Sequence, residues 1–286
     1  MGGEWAGSGR GVGGEWAGRP RPYESEVHMN ILVCIKQVPD MESRFKINSE
    51  GVWYDEADLA YRMNEYDEYA VEQAVRLKEQ LGGEPVITVL SIGPDRVVEA
   101  LKKALAMGCD RGVHVRDNHH YRKDPWQMAS IIAAYAKDQG FDLIFTGMQS
   151  QDRGSAQVGV TVAELLGYAC ATTLVGFAFD NGVVTAKREL EGGTKGVVKL
   201  RLPALVTCQL GLNIPRYPTL PNIMKAKKKE ILALPVADLL KEEGLVTTER
   251  MYPPAKKGGG IVLEGDVGDL ADRLIGILKE KTAVLR

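Results

Sequence analysis

The chain has 286 residues, 44% hydrophobic and 26% charged, with 36 Lys and Arg against 38 Asp and Glu for a net charge of -2. These proportions leave ample material for a buried core and exclude collagen, a long coiled coil and wholesale disorder. No apolar run approaches the ~20 residues of a membrane helix, and the near-balanced charge argues against nucleic acid as a partner.

Residues 1–28 read as foreign to the rest. Gly2-Gly3-Glu4-Trp5-Ala6-Gly7 recurs as Gly13-Gly14-Glu15-Trp16-Ala17-Gly18, and nothing in the stretch has a periodic apolar face. Such a segment cannot bury enough surface to order itself. It is expected to be a disordered or non-native extension, with Met29 as the natural start. It lacks the apolar core of a secretory signal, and its acidic residues argue against a transit peptide. The expectation is a bacterial cytoplasmic protein rather than a mitochondrial matrix one.

From Asn30 the pattern becomes regular. Ile31-Leu32-Val33-Cys34-Ile35 is a continuous apolar run, as in a strand buried on both faces. Arg44 to Tyr54 reads as a small hairpin around Asn48-Ser49-Glu50-Gly51. Asn64 is placed to cap a helix whose first turn holds Glu65, Asp67 and Glu68, where the helix dipole favours acids. Ala70, Ala74, Leu77 and Leu81 share one face of it, and Gly82-Gly83 ends it. Val86 to Ile92 is the next strand. Asp95 opens a helix with Val98, Leu101 and Leu105 inward. Gly112 to Val115 is a brief strand, and Pro125 begins a helix carrying Ala129, Ile132, Ala133 and Ala136. Leu143-Ile144-Phe145-Thr146 is another buried strand, followed by a glycine-containing loop and a helix from about Ala156 to Leu166. This alternation predicts an α/β fold, a doubly wound and mostly parallel sheet with helices on both faces.

Near Thr172 the grammar changes. Phe177 to Arg201 shows short strands punctuated by Asp180-Asn181-Gly182, a strong hairpin turn, and by Glu191-Gly192-Gly193, predicting a small antiparallel section. Leu205-Val206-Thr207-Cys208 resembles one more core strand. Pro215, Pro218 and Pro221 then mark an irregular segment, and Lys225 to Lys229 is basic. The expected organisation is an α/β nucleotide-binding domain over 29–231 with a loop at 209–229, then an extended tail over 232–286 that ends in an amphipathic helix carrying Leu270, Leu274, Ile277 and Leu278. A tail joined by Pro253-Pro254 and Gly258-Gly259-Gly260 is suited to docking either on its own domain or on a partner.

Cys34, Cys109, Cys170 and Cys208 are far apart and form no CxxC pair, so free thiols, mostly buried, are expected. His119-His120 lacks supporting ligands and reads as a solvated loop, and no metal site is expected.

In an open parallel sheet, ligands bind beyond the carboxyl ends of the strands. Three such ends stand out: Cys34 to Gln37, Ile92-Gly93, and Thr146 to Ser155. The third runs from Gly147 through Ser150 to Gly159 and straight into a helix. Backbone N–H groups at a helix start, with small residues allowing close approach, suit a phosphate. Arg153 could add charge and Asp152 a contact to a ribose hydroxyl, while the alternative is a capping loop with no ligand. There is no GxSxG elbow, no GxxxxGK[ST] loop and no nucleophile beside a His base, so no catalytic residues are assigned. Lys36-Gln37-Val38-Pro39-Asp40 is not the pyrophosphate loop that an adenylating module would need after its first strand.

Longer strings carry more. Val33-Cys34-Ile35-Lys36-Gln37-Val38, Ala70-Val71-Glu72-Gln73-Ala74-Val75-Arg76-Leu77-Lys78, Ala104-Leu105-Ala106-Met107-Gly108-Cys109-Asp110-Arg111, Arg188-Glu189-Leu190-Glu191-Gly192-Gly193, and the run from Asn213 to Lys229 occur in one order. Over about 29–286 the chain thereby resembles the β subunit of electron-transfer flavoproteins. The resemblance implies a heterodimer with an α subunit that supplies most of the redox FAD site, a buried AMP in the β subunit, and electron transfer from the acyl-CoA dehydrogenases of fatty-acid β-oxidation to a membrane-bound quinone reductase. It implies an electron carrier rather than a free-standing enzyme.

By position in that family, the nucleotide pocket falls on Cys34, on Asn64, Glu65, Tyr66 and Asp67, on Ile92, and on Ser150, Gln151, Asp152, Arg153, Gly154, Ser155, Ala156, Gln157, Val158, Gly159, Val160 and Thr161. The Asn213–Lys229 segment corresponds to a recognition loop with Leu220 as its anchor, and with Ile223, Met224, Lys225 and Lys228 beside it. Glu189 matches an acidic residue that pairs with an α-subunit Arg. The Asp152-to-Gly159 loop shares features with bifurcating members, which hold a second FAD in place of AMP and take electrons from NADH, but has Val160 where those carry Pro. The alternative expectation is therefore a bifurcating subunit.

Overall fold

Neighbouring residues of the apolar runs feed two different cores. Ile31 and Val33 face one way with Ile87, Val89, Leu143, Phe145 and Val206, while Leu32 and Cys34 face the other with Leu90, Ile92, Ile144 and Leu205. A strand with both faces covered must be apolar at every position, which is why these runs do not alternate with polar residues. Burying each of these Val, Leu or Ile side chains contributes about 1.5–3 kcal/mol.

The computed structural model describes residues 29–255 and 258–283; the expectation for residues 1–28 lies outside the described residues. In chain order the elements are β1 (Asn30–Cys34), β2 (Gln37–Pro39), β3 (Tyr61–Met63), α1 (Glu65–Gln80), β4 (Val86–Gly93), α2 (Val98–Met107), β5 (Arg111–Arg116), α3 (Pro125–Ala136), β6 (Leu143–Gly147), α4 (Val158–Leu166), β7 (Ala169–Asp180), β8 (Val183–Glu189), β9 (Lys195–Arg201), β10 (Ala204–Cys208), α5 (Leu220–Ala226), β11 (Ile231–Pro235), α6 (Val236–Leu239) and α7 (Val267–Lys281). The main sheet has the order β11-β5-β4-β1-β6-β10-β7-β8-β9, and β2 and β3 form a separate antiparallel pair. Every pairing from β11 to β7 is parallel, and β7, β8 and β9 continue the same sheet antiparallel. The α/β class and the small antiparallel section are as expected.

From β1 the chain runs outward through β4 on one side and later returns to β6 on the other. The carboxyl ends of β1 and β6 are therefore adjacent at a reversal of winding, with Cys34 beside Thr146. A crevice opens at such a point because the connections leave in opposite directions.

Several local expectations are corrected. Residues 44–54 form no two-stranded hairpin; a single bridge joins Ile47 to Tyr54, and Trp53 turns inward to become buried. The helix expected from Asp95 opens as a 3-10 turn, Asp95–Val97, so that Val97 rather than Val98 is buried. The segment expected to be irregular contains α5, because the Thr219 side chain accepts the Asn222 N–H and Pro221 fits a first turn. The expected tail begins inside the sheet: β11 pairs with β5 from Ile231 to Pro235. The first compact unit extends to Arg250, so the boundary at 231/232 cuts through an edge strand. The second unit, Met251–Arg286, carries α7, with Asp269 in its first turn and Lys279 and Lys281 in its last, the polarity that suits the helix dipole.

Candidate functional site

Asn64 directly precedes α1, yet its side chain does not cap that helix. It reaches across to the loop after β6, donating from Nδ2 to the Gln149 carbonyl at 2.9 Å and accepting the Gln151 N–H at 3.0 Å. That loop offers a backbone carbonyl and an N–H in the right places, and Asn is one of the few side chains that satisfies both at once. The capping role expected of Asn64 is thus corrected: it ties the start of α1 to the site loop. Asp67 does the same one turn on. Its Oδ2 accepts from the Lys36 N–H at 2.7 Å and its Oδ1 from the Gly147 N–H at 3.1 Å, joining the ends of β1 and β6. Burial pushes its carboxyl up to about 7, against the lowering effect of those donors.

Gly147 and Gly159 allow this closeness. A Cβ on Gly147 would collide with Asp67 Oδ1 and lie 2.8 Å from Tyr66 Cβ; one on Gly159 would lie 2.6 Å from Thr146 Oγ1. The first turn of α4 is thereby drawn against the end of β6. The loop between them is held in shape by left-handed backbone at Gly154 and at Ala156, where a non-glycine residue adopts that conformation only if its surroundings impose it.

The result is a cleft at the β1/β6 reversal. Cys34, Lys36 and Asp67 line it together with the apolar Leu90, Ile92, Pro125, Met128 and Ile132 and with Gly147 to Ser150 and Ser155 to Gly159. Trp53, His120, Tyr121, Lys123 and Arg153 complete the lining. Of the expected pocket residues, Cys34, Asn64, Asp67, Ile92, Ser150, Arg153, Ser155, Ala156, Gln157, Val158 and Gly159 are brought together on the lining. The others are not on the lining. Glu65 accepts from Gln151 at 2.9 Å, and Tyr66 Oη accepts from Gln149 at 3.1 Å. The Gly154 N–H closes a turn onto Ser150, Val160 is exposed, and Thr161 Oγ1 donates back to the Gln157 carbonyl.

Two charged residues are already committed. The Asp152 carboxylate is paired with Lys36 Nζ at 2.6 and 2.7 Å, so it stands as the counter-ion of a half-buried lysine and not as a free ribose acceptor. Burial lowers the Lys36 amine from its ordinary value, with Asp152 opposing. Arg153 donates to the carbonyls of Lys123 and Tyr121 and lies 4.9 Å from the Trp53 ring centroid. It thus clasps residues 121–123 to the site loop, leaving only part of its guanidinium for an anion.

Trp53, His120, Tyr121, Lys123, Pro125, Met128 and Ile132 were not assigned to the site from the sequence. His120, expected in a solvated loop, is buried, and its Nδ1 has no hydrogen-bond partner. Burial lowers its imidazole to about 4, so near neutral pH it is uncharged. Pro125, Met128 and Ile132 belong to α3, a helix the pattern does mark but without a site role, whereas Trp53, His120, Tyr121 and Lys123 come from the irregular stretches between β2 and β3 and between β5 and α3, and no local signal brings them together. Lys36 lies in a strand end the sequence did single out.

The first turn of α4 supplies backbone N–H groups without intrahelical partners, and the side chain of its cap residue, Gln157, makes no cap hydrogen bond. Free donors at one end, an apolar slot along one wall and a buried unpartnered imidazole fit an anionic group carrying a flat apolar ring, which is the chemistry of a nucleotide.

The second expected site lies on the segment after β10. Leu220 is 78% exposed and Met224 59%, so Leu220 is not tucked under its own domain. Ile223, Lys225 and Lys228 are also exposed on this segment. Glu189 is exposed at the end of β8, where its carboxylate accepts from Gln209 at 3.1 Å. Among the described residues no cluster of His, Cys, Asp and Glu could hold a metal ion, and no helix is long and apolar enough to cross a membrane.

Residues 51–239 match the model of the electron transfer flavoprotein domain. The chain is 40% identical over 263 residues to the electron transfer flavoprotein subunit beta of Bacillus subtilis (strain 168), covering 90% of this chain and 100% of that protein. It is 39% identical over 250 residues to the mitochondrial subunit beta of Arabidopsis thaliana, covering 86% and 97%, and 37% identical over 257 residues to the subunit beta of Mus musculus, covering 88% and 97%.

Proposed function

The chain belongs to the electron transfer flavoprotein family, as a β subunit, and from that premise we propose that it pairs with an α subunit, holds a structural AMP in its cleft and presents the segment after β10 to acyl-CoA dehydrogenases. The pair then passes electrons on to a membrane-bound quinone reductase. The observation that carries the nucleotide assignment is the meeting of the α4 amino terminus with the apolar slot at the β1/β6 reversal.

The bound FAD, held mostly by the α subunit, supplies the electron chemistry. This chain supplies binding and shape. The N–H groups at Val158 and Gly159 receive the phosphate, and Gly159 keeps them close because it has no side chain to hold them off. Leu90, Ile92 and Met128 exclude water from the base. Asp67 and Asn64 hold the strand ends and the loop in place before the nucleotide arrives. A ligand that binds only the folded state adds to stability by mass action. At the other site, Leu220 is the apolar anchor, with Ile223 and Met224 beside it, the arrangement of a short-lived interface built on a few dominant contacts. Lys225 and Lys228 steer an acidic partner toward it, and Glu189 pairs with an α-subunit Arg.

One observation favours a second reading. The string Ala156-Gln157-Val158-Gly159, which leads into α4, resembles that of members that hold a second FAD, although Val160 stands where those carry Pro. The test is to denature the purified heterodimer and quantify what it releases. One FAD and one AMP per heterodimer are expected. Two FAD and no AMP would replace the carrier by a bifurcating subunit, and neither nucleotide would overturn both readings.

A further inference from the structure

The exposed anchor segment is held at its base by one stripe of α1. Tyr69, Glu72, Gln73, Arg76 and Glu79 recur at helical spacing, and all five meet residues 213–216. Asn213 donates from Nδ2 to the Tyr69 carbonyl at 3.0 Å and to Gln73 at 3.3 Å. Arg76 donates to the Ile214 carbonyl at 3.1 Å. Arg216 is the centre of the arrangement. Its backbone N–H and its Nε both reach Glu72 Oε2, at 3.1 and 2.8 Å, and its terminal nitrogens take both oxygens of Glu79 at 2.6 and 2.9 Å.

Glu72 is only 2% exposed, so its charge needs close partners in the folded chain. Arg76 at 2.6 Å and Arg216 provide them. The far end of the segment is fixed separately: Ala226 is buried, and Lys229 Nζ donates to the carbonyls of Leu105 and Cys109. Between the two anchorages stand Tyr217, 92% exposed, and Leu220. A bulky apolar group kept in water on a segment pinned at both ends has lost most of its freedom before any partner arrives, and that freedom is what binding would otherwise remove.

We propose that Arg216, through Glu72 and Glu79, is a positioning residue that presets the Leu220 segment for its electron-donating partner, an inference that rests on the docking reading above. The fork of the guanidinium is what the geometry uses. A lysine keeps the charge but cannot span two carboxylates and fix the backbone beside them.

The test uses the complete heterodimer and an acyl-CoA dehydrogenase reduced with its own acyl-CoA substrate. Arg216→Gln should raise the KM for the dehydrogenase by about 3–10-fold, the cost of ordering a few side chains on binding, with kcat and nucleotide content close to those of the parent. Arg216→Lys should recover part of the loss. In a Leu220→Ala background the Arg216→Gln change should add little, because a misplaced segment without its anchor has nothing left to misplace; a residue that merely stabilised the fold would act independently. Amide exchange in the free heterodimer should speed up over 213–224 and not elsewhere. An unchanged KM in Arg216→Gln, full multiplication of the two effects in the double variant, or unchanged exchange would each overturn the positioning role. If Leu220→Ala itself leaves reduction unaffected, the docking reading falls, which separates that failure from this one.

Discussion

The cleft and the Leu220 segment solve opposite problems with the same residue types. In the cleft, polar side chains are spent on the protein itself: Asn64 on the 149–151 backbone, Asp67 on the ends of β1 and β6, Asp152 on Lys36. What remains for a ligand is a shaped space with backbone donors. On the segment after β10 the polar groups are spent at the base, on Glu72 and Glu79, and the apolar side chains are left in water. A site that keeps its ligand gains from enclosure, whereas one that must release its partner gains from a small exposed anchor that loses little freedom on docking. One helix serves both, since α1 offers Asp67 to the cleft and Glu72 to the segment from different faces.

This contrast can be broken at either end. The largest effect is expected at Gly147. An alanine there would drive its Cβ into Asp67 Oδ1 and onto the Tyr66 and Asp67 backbone region, where the neighbours are not flexible chain ends. Gly147→Ala should destabilise the subunit by about 2–4 kcal/mol, the range for overpacking with loss of a buried hydrogen bond. If the cleft holds AMP as proposed, it should also strip that AMP from the purified heterodimer. Thermal melting and nucleotide extraction read both, and a variant with normal melting and normal AMP content would mean that the tight approach of α1 to β6 is not needed.

A smaller effect, with a definite sign, is expected at His120. Its imidazole titrates near 4 in the fold against 6.5 when free, so between those values the unfolded chain binds more protons and stability is lost as pH falls. Asp67, raised from 3.8 to about 7, acts in the opposite direction over the same range, because there the folded chain holds the extra proton. The two partly cancel in the parent. His120→Gln removes only the first, so its stability relative to the parent should rise as pH drops from 6.5 toward 4.5, by up to about 1.4 kcal/mol per unit. Urea titrations at several pH values would show it, and a pH-independent difference would place His120 in contact with solvent.

The smallest effect is expected on the exposed segment. Lys225→Glu with Lys228→Glu should slow reduction by the dehydrogenase a few-fold at low ionic strength, roughly 3–10-fold, and the difference should shrink as salt screens it. Stopped-flow traces across a salt series would test this. A slowing that salt does not change would assign these lysines to direct contact rather than steering.

How much of this was legible depends on how far apart the cooperating residues lie in the chain. The strand Leu143–Thr146, the turn at Asn181-Gly182 and the helix stop at Gly82-Gly83 follow from residues within a few positions of each other, and all are found where the pattern places them. Residues 44–54 form no hairpin, and Trp53 there is buried with Arg153 4.9 Å from its ring centroid and the Tyr121 ring 5.9 Å away, neighbours about 70 to 100 positions on that no local rule sees. Asn64 has every local mark of a helix cap, yet a partner 85 residues later takes its side chain. The segment around Leu220 stands out as a string, but the base that holds it joins Glu72 to Arg216 across 144 positions.

By itself, then, the amino-acid order determined the alternation of strands and helices, the two-sided burial of the central strands and the glycines where backbones crowd, since each of these expresses backbone sterics and hydrophobic period over short spans. Only the folded chain decided which side chains became lining, counter-ion or brace. Those roles depend on which distant segments packing brings within hydrogen-bond reach, and a buried polar group takes whatever partner that packing offers.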